Sequence, residues 1–233
     1  MRNETVQVDV ADGRFDCLLM RPATGSPAPV VIVLQEVFGV NPGIRSIARH
    51  YAEDGYLALC PDLFWRAERN LSMDESNPDH MARGFSLYGS YDLERGVDDI
   101  AAVIALARHL PGSSGKVGVT GYCLGGLLTF LAAARTGSDA FAAYYGGGTD
   151  RFTGRARTIA APLLYHLAGD DEYIGPAAQA AIRAALAEVP SAMAHTYPGR
   201  NHAFARPGGA HFDAADAALA NTRTDRFLAL HLR

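Results

Sequence analysis

The chain has 233 residues, 48% hydrophobic and 20% charged, enough apolar material for a full core and too much for a disordered segment. Its 21 basic and 25 acidic residues leave a net charge of −4 with no basic block that could follow a phosphate backbone, so nucleic acid is not an expected partner. Length points to one domain over residues 1–233. The three cysteines, Cys17, Cys60 and Cys123, are too scattered for a disulfide framework. No leader-like N-terminus and no run of about 18 apolar residues is visible, which leads to the expectation of a cytoplasmic protein with reduced thiols and no membrane segment.

In chain order, residues 5–10 and 15–20 alternate in polarity around Asp12-Gly13 and read as an opening hairpin. Residues 30–34 form a continuous apolar, β-branched run, as expected of a strand covered on both faces. Asn41-Pro42 caps a helix through Tyr51, which Gly55 stops, and residues 56–60 form the next strand, ended by Pro61. Residues 66–90, polar and interrupted by Asn77-Pro78, read as an irregular surface excursion. A helix over 93–109, a strand over 116–120 and an apolar helix over 124–135 follow. Further strands are expected at 141–145, 163–167 and 192–197, with helices at 176–188 and 211–230. The alternation predicts an α/β protein with a mostly parallel sheet of about eight strands and helices on both faces.

One motif carries chemistry. Gly121-Tyr122-Cys123-Leu124-Gly125-Gly126 lies between a buried strand and an apolar helix and has the Gly-x-nucleophile-x-Gly form, with Cys in the nucleophile's place. Small neighbours let the backbone fold against itself. The helix start offers free N–H groups for an oxyanion and for control of a thiol. Gly169-Asp170-Asp171-Glu172 follows the seventh predicted strand and Arg200-Asn201-His202 the eighth, so nucleophile, acid and histidine come in that order at strand ends. Taken singly, each has a structural reading: a buried cysteine in a tight turn, a helix-capping acid, a surface histidine. The joint order favours catalysis. The histidines show no His-Glu-x-x-His or Cys/His clustering, so neither metal nor other cofactor is expected.

With these residues placed, the chain resembles the dienelactone hydrolase (carboxymethylenebutenolidase) family over nearly its whole length. The stretches that carry the likeness are Gln35-Glu36-Val37-Phe38-Gly39-Val40-Asn41, Cys60-Pro61-Asp62-Leu63, the Cys123 motif and His202-Ala203-Phe204-Ala205-Arg206. The resemblance implies an α/β-hydrolase fold, hydrolysis of a small lactone or ester, and a monomer. It implies Cys123 as nucleophile, His202 as base and acid, and Asp171, rather than Asp170, as the group that orients the imidazole. The oxyanion donors would be the backbone N–H groups of Val37 and Leu124. Glu36 would control the thiol and Arg206 would partner both Glu36 and an anionic substrate, with Phe38 and Tyr145 among the substrate contacts. Trp65 and Tyr144, near strand ends, are candidates for either the pocket or the core. The family's second carboxylate-binding arginine is replaced here by Met81. Arg83 is the nearest arginine, about 200° away around a helix. That departure keeps a non-anionic ester or thioester substrate open, and a ligand-binding protein without turnover is the reading outside enzymology.

Overall fold

The computed structural model describes residues 2–23 and 27–233. The opening hairpin pairs β1 (Arg2–Val10) with β2 (Gly13–Arg21) around Asp12-Gly13. Then come β3 (Ala28–Leu34), α1 (Pro42–Glu53), β4 (Leu57–Pro61), α2 (Pro78–Ser90), α3 (Leu93–His109), β5 (Ser113–Tyr122), α4 (Leu124–Ala133) and β6 (Ala140–Tyr144). A 3₁₀ segment, Thr149–Thr158, leads to β7 (Leu163–Ala168), α5 (Pro176–Ala187), β8 (Ala192–Tyr197) and α6 (Ala214–Leu232). The eight strands lie in the order β1-β2-β4-β3-β5-β6-β7-β8. β2 is antiparallel to both neighbours and every later pair is parallel, as the sequence predicts.

The central strands are buried along their length, which is why β3, β4, β6 and β7 carry apolar runs rather than alternation. α1 and α6 cover one face, tied by the His50 to Asp225 pair at 3.2 Å. α3 and α4 cover the other, and α5 joins them through the 3₁₀ segment. Among the described residues no helix is long and apolar enough to cross a membrane.

The excursion predicted over 66–90 is irregular only in part. Asn77 caps α2 by accepting from the amides of Asp79 and His80, and Pro78 takes the first helical position, the same Asn-Pro device that opens α1. α2 fully buries only Gly84, and its apolar positions Met81, Phe85 and Tyr88, at helical spacing, stay part-buried or exposed. Gly84 sits where an added Cβ would be 3.0 Å from the Val37 carbonyl, so α2 lies close against the turn after β3. Trp65 and Tyr144 belong to the core. Trp65 stacks on Phe15 and donates to Asp99 at 3.0 Å, and Tyr144 stacks on Tyr122.

The turn from β5 to α4 has no spare volume. A Cβ on Gly121 would lie 2.2 Å from the Gly125 carbonyl oxygen, whereas one on exposed Gly137 would meet nothing within 4 Å. Gly121→Ala should lower the unfolding free energy by about 2–3 kcal/mol and Gly137→Ala by about 0.5 kcal/mol or less, read from urea denaturation midpoints. Equal effects would show that the turn can relax.

Candidate active site

Cys123 occupies the single residue between β5 and α4, with φ 56° and ψ −114°. Its amide donates to the Tyr144 carbonyl at 3.1 Å. Only glycine fits at positions 125 and 126. A Cβ on Gly125 would stand 2.6 Å from the Leu34 oxygen, and one on Gly126 2.2 Å from the Tyr144 oxygen. The start of α4 is thereby wedged between the ends of β3 and β6, with the part-exposed Cys123 opening onto a cavity of about 640 Å³. Val37 and Leu124 line the same cavity, and neither backbone amide has an acceptor among the described residues. Leu124, as the first residue of α4, has no carbonyl one turn back to receive its N–H.

His202 and Asp171 come from the loops after β8 and β7, and both are buried. His202 Nδ1 donates to the Asp171 carboxylate, 2.9 Å from Oδ2 and 3.1 Å from Oδ1. Asp171 Oδ1 also accepts from the amides of Tyr173 and Ile174 at 2.9 and 3.1 Å, which fixes the carboxylate. Asn201 binds the two loops by accepting from the amides of Glu172 at 2.9 Å and His202 at 2.6 Å. The rings of Tyr173 and Tyr145 stand edge-on to the imidazole at 4.9 and 5.1 Å. Nε2, the remaining ring nitrogen, is buried and has no hydrogen-bond partner among the described residues. Burial by itself would lower the His202 pKa. The charge of the Cys123 sulfur and the Asp171 carboxylate outweigh it and push the imidazole up to about 10. Four non-glycine residues among those described have positive φ, and three of them, Cys123, Tyr145 and Ala203, surround this constellation.

Beside it lies a second charged group. Arg206 donates from Nε and Nη2 to Glu36 at 2.6 and 2.9 Å, a bidentate pair, and its Nη1 is paired with Glu75. Its guanidinium also lies 5.1 Å from the Phe38 ring centroid. Burial raises the Glu75 carboxyl and the Arg206 charge pulls it back.

The family model of the dienelactone hydrolase family matches residues 15–232. The chain belongs to that family. A carboxymethylenebutenolidase of Pseudomonas putida is 36% identical over 230 residues, 98% of this chain and 97% of its own. Carboxymethylenebutenolidase 1 of Cupriavidus pinatubonensis is 37% identical over 218 residues, 94% and 92% of the two chains. A dienelactone hydrolase-like promiscuous phosphotriesterase from metagenomic libraries superposes with a TM-score of 0.82 over 100% and 99% of the two chains at 21% identity, which shows the α/β-hydrolase fold. Membership makes the chain a hydrolase of the dienelactone hydrolase type.

Within this family member, Cys123, His202, Val37, Leu124, Phe38 and Arg206 all line the one cavity. The ambiguity between the two adjacent acids is resolved by burial: Asp171 is inside against His202, and Asp170 is exposed. Two expectations need correction. Arg83 points away from the cavity and pairs with Glu68 on the surface. Tyr145 is fully buried behind His202 rather than in contact with the cavity, because the chain turns at φ 36° directly after β6. Glu36 is held by Arg206, the partner that the resemblance implies, and no hydrogen bond joins it to Cys123 among the described residues. Cys17 and Cys60 are packing residues; burial raises both thiols, that of Cys60 to about 12.

Sequence reasoning missed Glu75 and Tyr173. Tyr173, two residues beyond Asp171, was findable from that spacing. Glu75 meets Arg206 only through tertiary folding and has no local signal. One group of candidate metal ligands occurs among the described residues, His50, Asp54 and Asp225, and it belongs to the α1–α6 contact.

Removing Arg206 would strand the buried Glu36 carboxylate. Arg206→Ala should therefore lower the unfolding free energy by about 3 kcal/mol, measured by urea denaturation, and an unchanged midpoint would mean that water reaches Glu36. In Cys123→Ala the sulfur's charge is lost while the burial stays. The His202 ring should then titrate at lower pH than in the unsubstituted chain, followed by NMR of its ring protons. Equal midpoints would show that the sulfur does not act on the ring.

Proposed function

We propose that the chain hydrolyses a small lactone or ester through a thioester on Cys123. The carrying observation is that a cysteine on a strained turn, two amides without acceptors and the unpartnered Nε2 of a carboxylate-anchored histidine surround one cavity.

His202 Nε2 already holds the proton given up by Cys123, and the sulfur attacks the substrate carbonyl. The Val37 and Leu124 amides receive the charge that develops on oxygen; one such donor is typically worth about 2.7–4 kcal/mol. As the C–O bond breaks, His202 passes the proton to the leaving oxygen, which in a lactone stays attached to the acyl chain. Water then adds to the thioester, giving its proton to His202. The C–S bond breaks, the acid departs, and the sulfur and the protonated His202 are restored. Asp171 keeps Nδ1 protonated and the ring oriented throughout.

Every residue in this scheme comes from one chain, so the scheme needs no partner subunit. The free thiols of Cys17, Cys60 and Cys123 fit the reducing cytoplasm.

With a small aryl ester and a five-membered lactone as substrates, Cys123→Ala should lose about 10³-fold or more in kcat/KM. Retention of turnover on both would overturn the mechanism.

A further inference from the structure

Arg206 is the one lysine or arginine that lines the cavity among the described residues, and its guanidinium is already committed. Nε and Nη2 donate to Glu36, Nη1 is ion-paired with Glu75, and the guanidinium carbon lies over the Phe38 ring. A carboxylate on an incoming substrate would have to approach this cation against the negative charge of both glutamates. Glu36 is almost wholly enclosed, with 3% of its side chain exposed, and has nowhere else to place its charge. Glu75 is the more exposed partner at 18%, and it is enclosed on its other side by the turn after Arg206, where a Cβ on Gly209 would lie 3.0 Å from its Oε1.

The remaining walls work in the same direction. Asp74 and Glu172 also line the cavity, and hydrogen bonds from the Ser76 amide and hydroxyl hold the Asp74 carboxyl below the usual carboxylate range. His211 is 3.6 Å from Glu172 and so is itself paired with an acid. Three acidic side chains thus share the cavity with one arginine already neutralised by Glu36, while Val37, Phe38, Met81, Phe85, Tyr88 and Tyr173 supply an apolar wall.

Building on the hydrolytic reading above, we propose that Glu75 is a specificity-determining residue that, by occupying Arg206, makes the site select uncharged esters and lactones over those bearing a carboxylate. The selection works by excluding the wrong partner as well as by fitting the right one.

The test uses a five-membered enol lactone carrying a free carboxylate and the corresponding carboxamide, which differ in charge and little in shape. The unsubstituted chain should show a kcat/KM at least tenfold higher for the carboxamide. Glu75→Gln, which keeps the side chain's size and removes the negative charge beside Nη1, should narrow that ratio tenfold or reverse it, chiefly by lowering KM for the acid. Glu75→Asp should retain the preference. A preference for the acid in the unsubstituted chain, or a ratio untouched by Glu75→Gln, would overturn the proposal. Calorimetric binding of the two probes to Cys123→Ala reads the same preference without turnover. Failure of the chain to hydrolyse either probe would therefore count against the hydrolytic reading, while the binding ratio still decides the role of Glu75.

Discussion

A backbone bend with no room for side chains governs this molecule. Between Tyr122 and Leu124 the chain reverses from strand to helix through one residue at φ 56°, a conformation that costs a non-glycine residue roughly 1–3 kcal/mol. It persists because the surroundings leave no alternative: Gly121 lies against Gly125, Gly125 against the end of β3, and Gly126 against the end of β6. The same crowding puts the sulfur at a cavity mouth and the uncapped start of α4 beside it. The strain and the chemistry share one cause.

Around that bend the protein arranges two charged networks with different tasks. In one, Asp171 is locked by two backbone amides and in turn locks His202, so the imidazole presents Nε2 in a fixed direction. In the other, Glu36 and Glu75 neutralise Arg206 from two sides. The first network prepares a proton carrier. The second sets the electrostatic character of the space that the substrate must enter. α2 bears on both, since its Gly84 abuts Val37 and its Met81, Phe85 and Tyr88 form part of the cavity wall.

Much of this was legible in the sequence, for identifiable reasons. Strands buried on both faces must be apolar throughout, so residues 30–34 and 163–167 declared themselves. The glycines flanking Cys123 are demanded by volume, so the motif could be read as a turn with a purpose. α2 escaped notice because its apolar stripe, Met81, Phe85 and Tyr88, is short and set among polar residues, although Asn77-Pro78 repeated the signal read correctly at Asn41-Pro42. Asp170 and Asp171 are alike in sequence and separated only by burial. Arg83 and Tyr145 looked suitable by residue type, yet one pairs with Glu68 and the other turns inward behind His202. Glu75 and Arg206 meet only after folding, as do most partners in a charged network.

The central claim, that the reacting atom is the Cys123 sulfur, is tested most directly by covalent capture. An aryl carbamate transfers a carbamoyl group that leaves sulfur slowly, so the adduct can be located by intact mass and peptide mapping. The account predicts one carbamoyl group per chain, on Cys123, with loss of hydrolysis in proportion to labelling. A label on any other residue, or full activity after stoichiometric labelling of Cys123, would contradict it.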